Sequence, residues 1–300
     1  MGTFTGHVVP AFFFCVLGLW HLISASVTYL RFPREYCARA WQPLPFVTGR
    51  LRSLELYILL VAIPFGIFYE IGISTGFHPL ENGVIPLYRI ATFQHSIVLV
   101  MFWVFALLAL VSETTQILPL PVEIPFVLLG ISFLMEFNIV ADEAAQNSGL
   151  EGKLYLCLLL IIGSCAVCSF LLAWNPRTFY LDFLFGMTLI LHGTWLFQIG
   201  FSLYVEKFIP EGCHRLLDLP GGVNGSTQCD LDDVKVRAME LMGFALNCHV
   251  VSVVLFSVLT LGVVARVLGY RQGGYDPLNY EQDNDMLQMK PMPKLNTDKD

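Results

Sequence analysis

LYLCLLLIIGSCAVCSFLLAW, residues 154–174, decides the fold class: it runs from Leu154 to Trp174 without a single charge. As a helix rising about 1.5 Å per residue it reaches roughly 30 Å, the thickness of a bilayer's hydrocarbon core. No water is available there to satisfy backbone groups, so a segment crossing alone must be a helix. The same reading applies to Val8–Leu30, Leu54–Ser74, Ile90–Ser112, Leu120–Val140, Phe179–Tyr204 and Ala238–Ala265. None of these seven stretches contains any of the chain's 17 Lys and Arg residues.

Composition agrees. Hydrophobic residues make up 55% of the chain, charged residues 14%, and the mean hydropathy is +0.64, too apolar for a soluble domain of 300 residues. The expected fold is all-α, a polytopic membrane protein of about seven transmembrane helices. Ser24-Ala25-Ser26 offers small residues of the kind a signal peptidase cuts after. However, the apolar stretch before it is long, no Lys or Arg precedes it, and Arg31, Arg34 and Arg39 follow it, so a retained helix is expected. A nucleic-acid partner is excluded on charge: the net charge is −7 and no basic stripe exists.

Orientation follows from the flanks. The segment Arg31–Ser53 holds five Arg, the densest basic cluster beside a span, and should be cytosolic. Seven crossings then place the N-terminus on the lumenal or extracellular side and the C-terminus in the cytosol. Residues 205–237 become an outer loop, although its Lys207, Arg215, Lys235 and Arg237 count the other way. That loop carries the acceptor sequence Asn224-Gly225-Ser226 for N-glycosylation, and Cys213 and Cys229, which can pair in an oxidising compartment. The membrane domain is thus residues 1–271. Residues 272–300 are polar, hold six acidic residues against three Lys from Gly273 onward, and are expected to be a disordered cytosolic tail. Within it, Tyr275-Asp276-Pro277-Leu278 fits a tyrosine-based sorting signal read by coat adaptors through Tyr275 and Leu278.

Carboxylates and imidazoles inside the spans pose the functional question, because ionisable groups at membrane depth face the bundle interior or a wet cavity. Glu70, His95, Glu136 and Gln198 fall four to six residues from the outer ends of their stretches. His192 falls near a midpoint, and His249 eleven residues into the last stretch. Together they define an expected polar pocket in the outer half of the bundle. Three roles are open: interhelical hydrogen bonds that fix packing, a ligand or proton site, or a metal centre built from His95, Glu136, His192 and His249, with zinc the fitting ion. No His-x-x-x-His or His-Glu-x-x-His spacing supports the metal, so its ligands would have to converge from separate helices. Glu55, Glu113, Glu123, Asp182 and Glu240 lie at helix ends and read as solvated caps.

Several segments resemble the transmembrane protein 45 family. They are Met1-Gly2-Thr3-Phe4-Thr5-Gly6-His7, Gln94-His95, Phe133-Leu134-Met135-Glu136-Phe137-Asn138, Cys248-His249 and, above all, Gly193-Thr194-Trp195-Leu196-Phe197-Gln198-Ile199-Gly200-Phe201. The N-terminal wording and the long outer loop resemble the epididymal transmembrane branch of that family. The resemblance covers roughly residues 1–270. It implies a multi-pass protein of endomembranes, Golgi or endosome, or of the plasma membrane, with no established activity. The family often shows a His pair where this chain has Gln94-His95, and Gln where it has His192, which weighs against a shared metal site. The expected function is non-enzymatic binding of a small molecule, lipid or partner. The alternatives are a zinc-dependent hydrolase of lipid amides or esters, with Glu136 as general base, and a proton-coupled carrier.

Overall fold

The structure is a computed structural model that describes residues 3–44, 49–75, 80, 83–215 and 227–270. It contains seven long helices: α1 (Phe4–Arg31), α2 (Leu54–Thr75), α3 (Leu87–Thr114), α4 (Glu123–Gln146), α5 (Gly149–Trp174), α6 (Phe179–Tyr204) and α7 (Asp232–Val267). All seven are long and apolar enough to cross a membrane. Successive crossings alternate in direction. The start of α1 and the α6–α7 connection therefore share one face, called here the N-terminal face. Residues 32–44 and the end of α7 share the other.

Two boundaries differ from the hydropathy reading. Helix α4 runs past Val140 to Gln146, and α7 starts at Asp232, six residues before Ala238. Ala141 to Gln146 is rich in good helix formers, while Asp232 and Asp233 sit where the α7 dipole favours negative charge. Hydropathy marks where lipid ends, and the helices continue into the headgroup region. The loop expected at 205–237 is correspondingly shorter. It contains a 3-10 turn at Glu206–Phe208 and two antiparallel strands, β1 (Cys213–Arg215) and β2 (Thr227–Cys229), with Cys213 opposite Cys229. A disulfide joins those two cysteines, and the Thr227 hydroxyl donates to the Leu203 carbonyl at 3.3 Å, tying the hairpin to the end of α6. Asn224, Tyr275, Leu278 and the tail from residue 271 lie outside the described residues.

The tightest seam joins α1 to α6. Gly186, Gly193 and Gly200 stand seven residues apart, so they share one stripe of a helix that contacts its neighbour at coiled-coil angles. A Cβ on Gly193 would lie 2.6 Å from the Ala11 carbonyl oxygen and 2.7 Å from the Cys15 amide, and one on Gly186 would lie 3.3 Å from the Leu22 backbone. Gly18 on α1 reciprocates, since a Cβ there would lie 2.7 Å from the Ile190 amide. Between helices in lipid the driving force is close van der Waals contact, and small residues permit it. The other close pairs are α4 with α5 and α2 with α3, whereas α7 packs more loosely against α5, α6 and α1.

Candidate functional site

A cavity of about 580 Å³ runs through the bundle between α1, α2, α3 and α4, with α5 and α6 closing its floor. Its middle is walled by apolar side chains, among them Leu17, Leu59, Phe102, Phe133, Phe185 and Leu189. At the N-terminal face it is lined by His7, Glu70, His95, Glu143 and Tyr155, and at the opposite end by His21, Ala40 and Glu55. His7 and His21 lie fourteen residues apart on α1, so the two polar ends are separated by roughly 20 Å. Helices α1 and α2 both line the cavity but do not pack along one another among the described residues. Phe13 and Phe65, which line it from these two helices, are also exposed on the lipid-facing surface. The α1–α2 seam is therefore a lateral opening towards the bilayer.

At the N-terminal end, His95 Nε2 donates to Glu143 Oε1 at 2.9 Å, joining α3 to α4. The buried His7 donates through Nδ1 to the Thr3 carbonyl at 2.9 Å, and its ring lies 5.6 Å from that of Tyr204. Glu70 contributes a half-buried carboxylate from α2. Deeper in, Glu136 stands ten residues before the end of α4, with one carboxylate oxygen 3.4 Å from His192 Nε2. His192 is fully buried on α6 and stacks on Phe14 with ring centroids 4.1 Å apart. Because α4 extends beyond Val140, Glu136 sits near the middle of its helix and not at its end.

Of the six residues expected to share a pocket, Glu70, His95 and Glu136 line the cavity, and His192 backs Glu136 from behind it. Gln198 and His249 do not join them. His249 Nε2 donates to Gln198 Oε1 at 3.3 Å between α6 and α7, and its ring meets Trp195 edge-on at 5.5 Å. Helical phase explains this. Gln198 lies six residues beyond His192, about 240° around α6, and so faces α7 and not the cavity. The four residues considered for a metal stand apart: His95 bonds to Glu143, His192 lies 3.4 Å from Glu136, and His249 bonds to Gln198. Among the described residues no three His, Cys, Asp or Glu side chains stand together as a metal would require.

The solvated-cap reading is overturned for two acidic residues at the opposite end. Asp182 is fully buried and accepts from His21 Nε2 at 2.6 Å and from the Tyr36 hydroxyl. Glu55 accepts from Trp20 Nε1 at 3.1 Å and from the Gln42 amide at 2.8 Å. Burial and the neighbouring Asp182 carboxylate push the Tyr36 hydroxyl well above the ordinary phenol range, so it stays a donor. Together these contacts hold the α1–α2 connection over the cavity's end. A carboxylate in the first turn of an apolar helix has the same sequence signature whether it caps in water or pairs in a core. Asp182 was therefore not legible as a partner of His21. Glu143 was missed because it follows the last apolar residue of its stretch.

The Gly193–Phe201 segment takes its roles from three neighbours. Gly193 and Gly200 admit α1, the Trp195 indole N–H donates to the Leu154 carbonyl of α5 at 3.1 Å, and Gln198 meets α7. Seven apolar crossings around an internal cavity with polar ends define a multi-pass helical membrane protein. Residues 122–262 match the family of unknown function DUF716. The chain is also similar to transmembrane epididymal protein 1A of Mus musculus, with 24% identity over 221 residues that cover 68% of each chain.

Proposed function

We propose that this protein is a non-enzymatic binder of an amphipathic molecule drawn from the bilayer and held in the cavity among α1, α2, α3 and α4. One observation carries the reading: a volume of about 580 Å³, within the range of ligand sites, has apolar walls, clustered polar groups and a seam open to lipid. In this proposal the N-terminal face is lumenal or extracellular, Asn224 is glycosylated, and the protein resides in the Golgi, endosomes or plasma membrane. The cytosolic tail engages a coat adaptor through Tyr275 and Leu278.

The cavity is tested with a photoreactive alkyl lipid added to the purified protein in nanodiscs, followed by mapping of the labelled peptides. Labelling should fall on the cavity-lining parts of α1, α2 and α3, and should be lost when Ala62→Trp fills the space. Labelling confined to the outer surface and unchanged in Ala62→Trp would end the proposal. Orientation and glycosylation are tested by endoglycosidase treatment of the protein from cells. The band should shift, and Asn224→Gln should abolish the shift.

A further inference from the structure

Most buried polar atoms in the bundle have partners, those of Ser132, Ser169 and Thr188 among them, but some of those on Glu136 and His192 do not. Glu136 Oε2 and both ring nitrogens of His192 are buried and have no hydrogen-bond partner among the described residues. The Glu136 side chain lines the cavity, while His192, fully buried behind it, is held by the Phe14 stack. An unsatisfied carboxylate oxygen in a low-dielectric site is costly, and a donor supplied by a ligand removes that cost. The Glu136 side chain as a whole retains 14% exposure on the cavity side of His192.

The cavity's charge narrows the ligand further. Four carboxylates line it, Glu55, Glu70, Glu136 and Glu143, and none of its lining residues is Lys or Arg. A phosphate or a fatty-acid carboxylate would enter beside like charges, with no Lys or Arg in the described lining to receive it. A hydroxyl or ammonium would meet acceptors. Polar groups line both ends of the cavity, His21 and Glu55 at one and His7, Glu70, His95 and Glu143 at the other, with Leu59, Phe102, Phe105 and Leu129 among the apolar residues between them. A polar group that reaches Glu136 leaves its hydrocarbon against these apolar walls or along the α1–α2 seam.

We infer that the cavity selects a lipid-like amphiphile whose polar group donates hydrogen bonds, a long-chain alcohol or amine. The Glu136 carboxylate is the acceptor that reads this group, and His192 is the residue that positions it. This inference rests on the binding reading above and names its ligand class. It requires no covalent step.

The test uses four photoreactive probes with the same alkyl chain, ending in a hydroxyl, an amine, a carboxylate or a plain methyl group. Each is titrated into the full-length protein in nanodiscs of neutral phospholipid. The alcohol and amine should label cavity peptides at concentrations about tenfold below those needed for the carboxylate and the methyl probe. Glu136→Gln should abolish the amine's advantage and leave methyl-probe labelling unchanged. His192→Phe, which keeps the stack on Phe14, should reduce the advantage of both donor probes. Equal labelling by the carboxylate and amine probes, or an unchanged ranking in Glu136→Gln, would overturn the assignment while leaving a lipid cavity in place. Absence of cavity labelling by all four probes would remove the binding reading itself. If Glu136→Gln does not accumulate, the ranking of the four probes on the unaltered protein decides the matter.

Discussion

The indole N–H of Trp103 on α3 donates at 3.2 Å to the carbonyl of Leu60 on α2. Leu60 lies four residues before Pro64, which has no N–H and cannot give that carbonyl its helical partner. A neighbouring helix thus supplies the missing donor, one of the ways in which proline is tolerated inside membrane helices. The contact also fixes the register of α2 against α3 along one wall of the cavity.

This pairing predicts a coupled effect. Trp103→Phe should destabilise the protein by about 1–3 kcal/mol, the cost of leaving a buried carbonyl unpaired. In a Pro64→Ala background the new amide reaches Leu60, and the same substitution should cost about 1 kcal/mol less. Thermal unfolding of the four proteins in detergent measures the difference. Additive effects would show that the two residues do not share this carbonyl.

A second prediction concerns Asp182. Asp182→Leu leaves His21 and Tyr36 buried without their acceptor, and should cost about 3–5 kcal/mol. Replacing both His21 and Asp182 with Leu should recover part of that loss, because no uncompensated polar partner then remains from the pair. The melting temperatures should rank the unaltered protein above the double variant, and the double above the single. A double variant less stable than Asp182→Leu would contradict the pairing.

The glycine stripe gives a third. Gly193→Ala puts a methyl group onto the α1 backbone, where no side chain can rotate away, and overpacking of this kind costs about 1–3 kcal/mol or more. Gly262→Ala on α7 meets nothing within 4 Å and should be neutral or slightly stabilising. Monodisperse yield on size exclusion separates the two. Equal yields would mean that α1 and α6 are not in backbone contact at Gly193.

Cys37 provides a pH-dependent check on the α1–α2 connection. Burial raises its thiol pKa above the usual value, so at a given pH it holds less thiolate than a free cysteine. Its alkylation rate should be low at neutral pH, with the midpoint of its rise above about pH 8.5, where a solvated thiol has its own. A profile with its midpoint near pH 8.5, the value for a free thiol, would indicate that this connection is not packed down.

The class of fold was legible because it depends on a local property. About 20 apolar residues without charge have one way to cross lipid alone, and this holds at Leu154–Trp174 without reference to any other segment. Polar residues inside the stretches were legible too, since Glu70, His95, Glu136, His192, Gln198 and His249 stand out against an apolar background. Their partners were not. The pairing of His95 with Glu143, of His21 with Asp182 and of His249 with Gln198 depends on which helix lies beside which and at what rotation.

That arrangement is set by the backbone approach of α1 to α6 across their glycines and by the run of α4 past the end of its apolar stretch. Hydropathy records the contact of each segment with lipid, and so determined the seven crossings. Contact between segments depends on the shape of facing surfaces. Only the tertiary structure could decide that Glu136 and His192 meet inside the bundle, while Gln198, six residues along the same helix, turns away.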